Sequence, residues 1–286
     1  MTQVDLAALR QHIGRKRIDH DVATEAPLRA LATIFERPED APRPGDPVPP
    51  GAHWLYFWAM SPPASLGADG LPMSDDIIPP MPFPRRMFAG NTITFHAPLV
   101  IGEPIRRETE LTDIALRQGD TGSLLFVTQT QRIYGAAGLA VTDERHGVFR
   151  EAVPAGARSG VPRRDTPPAD LPWQRTIKAD VVSLFRYSAI TFNPHRIHYD
   201  RTYAMEVEGY PGLVVHGPYA QQCLLNFARD HNPGRGLATF TMRARAPLFD
   251  IAPFGVVGRP SGDKSCEVWT VTPEGTVAAS ATATFA

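Results

Sequence analysis

Residues 187–228 read YSAITFNPHRIHYDRTYAMEVEGYPGLVVHGPYAQQCLLNFA, and the order of events in this stretch decides how the chain is read. A polar loop broken by Pro194 carries His195, His198 and Asp200. An apolar run, Leu213 to Val215, follows, then His216, Gly217 and Pro218, and then a patterned helix. Pro suits the first helical turn, where its missing N–H costs nothing. Ala220, Cys223, Leu224, Phe227 and Ala228 recur at helical spacing, which predicts a face packed on a core. Gly217 stands at the positive end of that helix, where free N–H groups favour an oxygen gaining negative charge, and its lack of a Cβ lets a ligand approach the main chain closely. A base on the loop and N–H donors at the helix start are the two parts that chemistry at a carbonyl needs. The same residues also read as an ordinary turn followed by a helix.

Within the loop, His198 can hold a neutral imidazole near pH 7 and take a proton from water. Asn193 cannot act as a base, but its amide can orient a water or a substrate oxygen. His195, His198 and Asp200 are also metal-ligand types, although their spacing matches no standard pattern, so no metal is expected.

These residues resemble the MaoC-like hydratases and dehydratases, and more closely the type 2 hydroxyacyl-thioester dehydratases with the mesaconyl-C4-CoA and itaconyl-CoA hydratases. The family motif runs roughly Asp-Phe-Asn-Pro-Leu-His-x-Asp and later His-Gly. Here His198-Tyr199-Asp200 and Val215-His216-Gly217 match its parts, and Asn193 stands five residues before the His, where the family has its catalytic Asp. A literal Phe-Asn-Pro alignment instead places Thr191 at the Asp and Arg196 at the His, so neither alignment keeps the acid. Residues 84–90 (PRRMFAG) and 93–99 (ITFHAPL) extend the resemblance to the first half. It implies an α+β double hot-dog, with curved antiparallel sheets around long central helices. It implies addition or removal of water across the double bond of an enoyl-CoA, with short or dicarboxylic acyl groups among the substrates. Asn193, His198 and Gly217 are then the catalytic set, and His216, Arg196, Arg86 and Arg245 the substrate-binding set. The CoA thioester is the substrate and no cofactor is expected. Hydrolysis of a thioester and simple thioester binding are the alternatives, since one fold hosts several functions.

The chain has 286 residues, 43% of them hydrophobic, and a net charge of −1. That gives no support to nucleic-acid or membrane-surface binding, and no apolar run is long enough to span a bilayer. Cys223 and Cys266 are the only cysteines, so no disulfide framework is expected. The opening residues lack a basic start followed by an apolar run, and the chain reads as cytoplasmic.

Three regions are expected: a degenerate hot-dog half over 1–153, a Pro-rich linker over 154–172, and a catalytic half over 173–286. Helices are predicted near 5–13, 26–36, 179–190 and from Pro218, and His53 to Met60 reads as an aromatic strand. Residues 61–84, rich in Pro and Gly, form a long loop expected to cover an entrance. Each half has a strand ending in Ala-Pro-Leu, at Ala97–Leu99 and Ala246–Leu248, as an internal duplication would leave. The first half has no His-Gly-Pro helix entry and no Asn-x4-His loop, and the resemblance implies that its site is lost and that its space holds the acyl or pantetheine part. A double hot-dog satisfies its own pairing, and a further homodimer is expected to be accessible to it.

Overall fold

The computed structural model describes residues 4–37, 42–73, 75–119, 122–151 and 165–286. Most of the expected linker therefore lies outside the described residues. The strands are β1 (Lys16–Val22), β2 (Arg85–Phe95), β3 (Pro104–Gly119), β4 (Gly122–Gly135), β5 (Gly138–Arg150), β6 (Trp173–Ile177), β7 (Leu237–Ala244), β8 (Phe254–Gly262), β9 (Ser265–Val271) and β10 (Val277–Phe285). They form one ten-stranded antiparallel sheet in the order β1-β3-β4-β5-β2-β7-β10-β9-β8-β6. Read inward from its two edges, the order is 1-3-4-5-2 and 6-8-9-10-7, so each strand has a partner five places later in the chain. The arrays join where β2 pairs β7, from Gly90 opposite Arg243 to Thr94 opposite Thr239.

The repeat extends to individual hydrogen bonds. His96 and Ala97 both donate to the Ala140 carbonyl, at 2.8 and 3.2 Å, while Arg245 and Ala246 both donate to Ala278, at 2.8 and 3.0 Å. The Val48 N–H donates to Leu99, and the Val215 N–H to Leu248, each at 2.8 Å. Val48 is therefore the first-half counterpart of Val215, and the Pro49-Pro50 pair stands where the second half has His216-Gly217.

The helices are α1 (Leu6–Arg10), α2 (Glu25–Ile34), α3 (Val181–Thr191) and α4 (Gly217–Asp230). The apolar spacing predicts one buried face for α4, yet every residue from Tyr219 to Ala228 is buried, Gln221, Gln222 and Asn226 included. The sheet covers one side, and the segment around Gly51 covers the other. Gln222 donates to Asn226 Oδ1 at 3.0 Å and to the Pro50 carbonyl at 3.4 Å, which keeps its amide hydrogen-bonded out of water. The core is continuous across both halves, from Leu28 and Ile93 to Leu224, Phe240 and Phe254.

The expected strand over His53 to Met60 is instead a short 3-10 helix, Ala52–Leu55. It occupies the place of α4 in the first half. Gly51 ahead of it and Phe57 behind it both have left-handed φ, at 86° and 60°, so neither helix nor strand can continue. Strand β1 was not foreseen, because KRIDHDV is mostly polar and buries little. The segment after Ser61 packs on the loop that bears His195. The Arg196 N–H donates to the Asp69 carbonyl at 2.8 Å, and a Cβ at Gly70 would lie 2.1 Å from the Pro194 carbonyl oxygen.

At Gly51 an added Cβ would lie 2.7 Å from both Gln222 and Leu225. Gly51→Ala is expected to destabilise the fold by about 2 kcal/mol or more, through left-handed strain and overpacking together. Gly102 also has left-handed φ but nothing within 4 Å of its Cβ position, so Gly102→Ala carries the strain alone. Urea unfolding of both variants checks that Gly51→Ala costs more.

Candidate active site

Position 198 closes a single 3-10 turn, Arg196–His198, directly after the Asn193-Pro194 break. Asn193 caps this turn internally, its Oδ1 accepting the His195 N–H at 3.0 Å. His198 is buried, and its Nδ1 lies 2.7 Å from the Val214 carbonyl oxygen. A carbonyl only accepts, so Nδ1 carries the hydrogen and Nε2 presents its lone pair. Burial above all, then His195, lowers the His198 pKa to about 3, against the opposing pull of the Val214 hydrogen bond. The ring is therefore a neutral imidazole across the physiological range.

Behind it stands His216, fully buried, its ring stacked on that of His198 at 3.7 Å between centroids and 19° between planes. Its Nε2 is 2.8 Å from Ser188 Oγ, and the Tyr187 ring lies 5.0 Å away on the α3 side. Burial pushes the His216 pKa well down, so the stack is of two neutral rings. His216 is absent from the cleft lining, so its expected contact with substrate is corrected: it backs the imidazole that faces the cleft. Ser188 and Tyr187, which complete this backing, were not singled out from the sequence.

Asn193, His195, His198, Gly217 and Pro218 line one cleft of about 2170 Å³. Consecutive residues Glu144 to Arg150 line it too. Alternate strand residues point to opposite faces, so the cleft is an open groove running past β5. Its size exceeds the roughly 300–1,000 Å³ of ordinary ligand pockets and has room for a long carrier as well as an acyl group. Leu71 and Ile78 of the long loop contribute to its wall.

Helix α4 begins at Gly217 with Pro218 in its first turn and no side chain capping its N–H groups. With no N–H on Pro218, Gly217 and Tyr219 supply the free donors of that first turn. The expected reason for a glycine at 217 is corrected. A Cβ there would lie 2.5 Å from Cδ1 of Phe88, so protein fills that space and no ligand does. Phe88 is held by the edge of Trp54, whose indole N–H donates to Asp143 at 2.7 Å.

The expected substrate arginines separate. Arg196 is committed to structure: its Nε and Nη2 donate to Asp200 Oδ2 at 3.0 and 2.7 Å, and its Nη1 donates to the Ala68 carbonyl at 2.9 Å. It does not line the cleft, and its expected substrate contact is corrected. Asp200 also accepts the Tyr203 N–H at 3.0 Å, so it organises the loop and does not replace a catalytic acid. Arg245 lines the cleft while paired to Asp165 at 3.0 Å. Arg86 lines it beside His195. His195, by sequence a possible proton carrier or metal ligand of the polar loop, faces the cleft with its ring 5.3 Å from that of His198. Burial first and Arg86 second lower its pKa to about 4. Among the described residues no cluster of three His, Cys, Asp or Glu could hold a metal.

Residues 51–250 match the family of hydroxyacyl-thioester dehydratases type 2. The mesaconyl-C4-CoA hydratase of Chloroflexus aurantiacus is 44% identical over 272 residues, covering 94% of this chain and 95% of that protein. A MaoC-like dehydratase from Phytophthora capsici shares the fold with a TM-score of 0.72 at 13% identity, over 99% of this chain and 98% of that one. So does a Mycobacterium tuberculosis protein with a double hot-dog fold, with a TM-score of 0.55 at 11% identity, over 96% of each chain. The chain belongs to the type 2 hydroxyacyl-thioester dehydratase family and has its double hot-dog fold. It is an enzyme of the class that adds or removes water at a thioester's carbon–carbon double bond.

Two buried histidines, His198 and His216, and the part-buried His195 are held neutral, with a consequence for stability. Their folded pKa values lie below the unfolded value, so the unfolded chain binds more protons as pH falls below about 6.5. Stability from this source is complete above that pH and declines between 6.5 and about 4, where His195 itself begins to protonate. Urea midpoints measured from pH 7.5 to 4.5 are expected to fall, and less steeply in His198→Gln, which removes one such group.

Proposed function

We propose that water adds to the β-carbon of an enoyl-CoA at the bare Nε2 of His198. A water in the cleft gives its proton to Nε2 while its oxygen bonds to the β-carbon. The π electrons move through the α-carbon to the thioester oxygen, forming an enolate. The Gly217 N–H, at the positive end of α4, donates to that oxygen; one such donor is worth roughly 3–4 kcal/mol in comparable sites. The imidazolium then returns the proton to the α-carbon, so H and OH have been added and the base is restored. Dehydration is the same path reversed.

The hydrogen bond from His198 Nδ1 to the Val214 carbonyl is the observation that carries this reading. It leaves Nε2 as an acceptor in every neutral ring, whatever the pH above about 4. Deep burial makes imidazolium costly in the empty site, so it forms together with the enolate as a balanced pair. Asn193 has an amide where relatives of this motif have a carboxylate. Its Oδ1 is engaged by the His195 N–H, and its Nδ2 remains to donate to the water oxygen. The substrate read from the chain's relative is a short dicarboxylic acyl-CoA of the mesaconyl kind.

His198→Ala is expected to lower kcat by at least about 10²-fold, the usual contribution of general base catalysis, with binding of a saturated acyl-CoA within a few-fold of the parent. Loss of enoyl absorbance follows hydration, and a thiol reagent in the same cuvette must detect no free CoA. Thiol release at the rate of absorbance loss would make the protein a thioesterase. Undiminished hydration in His198→Ala would remove the imidazole from the mechanism. For Asn193→Asp, a carboxylate acting on the same water changes the pH dependence of kcat; a profile identical to the parent's leaves Asn193 without a role in proton transfer.

A further inference from the structure

Among the described residues, the cleft wall carries a cation without an ion-pair partner. Arg85 is bound to Glu208 at 2.9 Å and to the Tyr210 hydroxyl at 2.8 Å, and Arg245 to Asp165, whereas Arg86 has no ion pair with any described residue. Asp75 and Asp69 act on it only through space, and its guanidinium lies 5.8 Å from the Phe149 ring centre. Arg145, on the neighbouring strand, adds a second positive charge to the same wall from above the Trp54 ring, at 4.5 Å. An unneutralised, largely desolvated guanidinium destabilises a folded protein. Two like charges close enough to act on each other add to that cost.

Position narrows the purpose. Arg86 and Phe88 alternate on β2, and Phe88 is the residue that packs against Gly217, so Arg86 projects to the same side of the sheet as the helix start. It is near enough to His195 to influence that ring, and His195 adjoins His198 edge to face. The positive charge therefore lies beside the two imidazoles of the cleft.

We propose that Arg86 is the specificity-determining residue of this site and that it binds a carboxylate attached to the β-carbon of the acyl group. The proposal rests on the hydration reading for the orientation of the substrate. A carboxylate at that carbon is one bond, about 1.5 Å, from the atom that water attacks. A guanidinium fits it as a two-pronged donor. Binding also gives the Arg86 guanidinium a counter-charge. A thioester with a methyl in that place leaves the guanidinium desolvated and unpaired, and a site built for a polar group rejects such an analogue strongly.

Succinyl-CoA and butyryl-CoA test this directly. They share a four-atom acyl skeleton, carry a carboxylate or a methyl on the β-carbon, and have no double bond to hydrate. Titration calorimetry with the parent protein is expected to show succinyl-CoA bound roughly tenfold tighter or more, with Arg86→Gln removing the difference and Arg86→Lys keeping part of it. Equal binding of the two by the parent protein overturns the proposal without recourse to any variant, as does an undiminished preference in Arg86→Gln. Turnover separates the two readings. The ratio of kcat/KM for mesaconyl-C4-CoA over crotonyl-CoA is expected to fall about a hundredfold in Arg86→Gln. A parent protein that prefers succinyl-CoA yet hydrates neither substrate upholds the carboxylate subsite and overturns the hydration reading.

Discussion

The contact between the His198 Nδ1–H and the Val214 carbonyl is the one on which the proposed chemistry depends. It fixes the tautomer, leaving the lone pair on Nε2, and it ties the His198 loop to the strand-like run that leads into α4. The same run pairs Val214 with Phe249, and its next residue donates to Leu248, so the base is referenced to the sheet itself. The base and the helix start thus stand on one rigid frame: Val214 holds the imidazole, and Gly217 opens the helix three residues later. Removing the carboxylate common in the wider motif does not disturb this frame, because Asn193 keeps the loop turn closed through its own side-chain oxygen.

Stability is given up at the site and recovered elsewhere. His198 and His216 are stacked neutral rings away from water, and among the described residues Nδ1 of His216 has no hydrogen-bond partner and Arg86 has no counter-ion. Each of these would be removed by a sequence selected for stability alone. The offset is the burial of α4, wrapped from Tyr219 to Ala228, and a core shared by both halves across the β2–β7 seam. A rigid scaffold of that kind can hold an unfavourable group within a narrow range of positions, as an active site requires.

What the sequence disclosed follows from how local each cause is. The helix after Pro218, the turn at Asn193-Pro194 and the alternation of most strands depend on residues a few positions apart, and all appear in the structure. The joining of the halves into one sheet was foreshadowed by the repeated Ala-Pro-Leu. The failures have distant causes. His53 to Met60 looks like a strand because it is aromatic, but Trp54 Nε1 donates to Asp143 at 2.7 Å and His53 Nε2 lies 3.3 Å from the same carboxylate, on another strand. The purpose of Gly217 was misread because Phe88, which needs the space, is far away in sequence. Arg196 is different: Asp200 stands four residues after it, a local spacing that already favoured pairing within the loop.

The two halves share one strand order, and the point where they differ lies at the cleft. The second half continues from Val215 through His216-Gly217 into fourteen residues of helix, whereas the first continues from Val48 through Pro49-Pro50 into a single 3-10 turn. Proline has no N–H, so the first half offers no donor where the second offers that of Gly217. The first half also presents no imidazole at the position of His216. With the helix reduced to one turn, less of the concave side is filled by that half, and its strands β2 and β5 contribute Arg86, Phe88 and Arg145 to the wall of the surviving site. The first half thus supplies charged and aromatic wall to a cleft whose imidazole and helix start come from the second half.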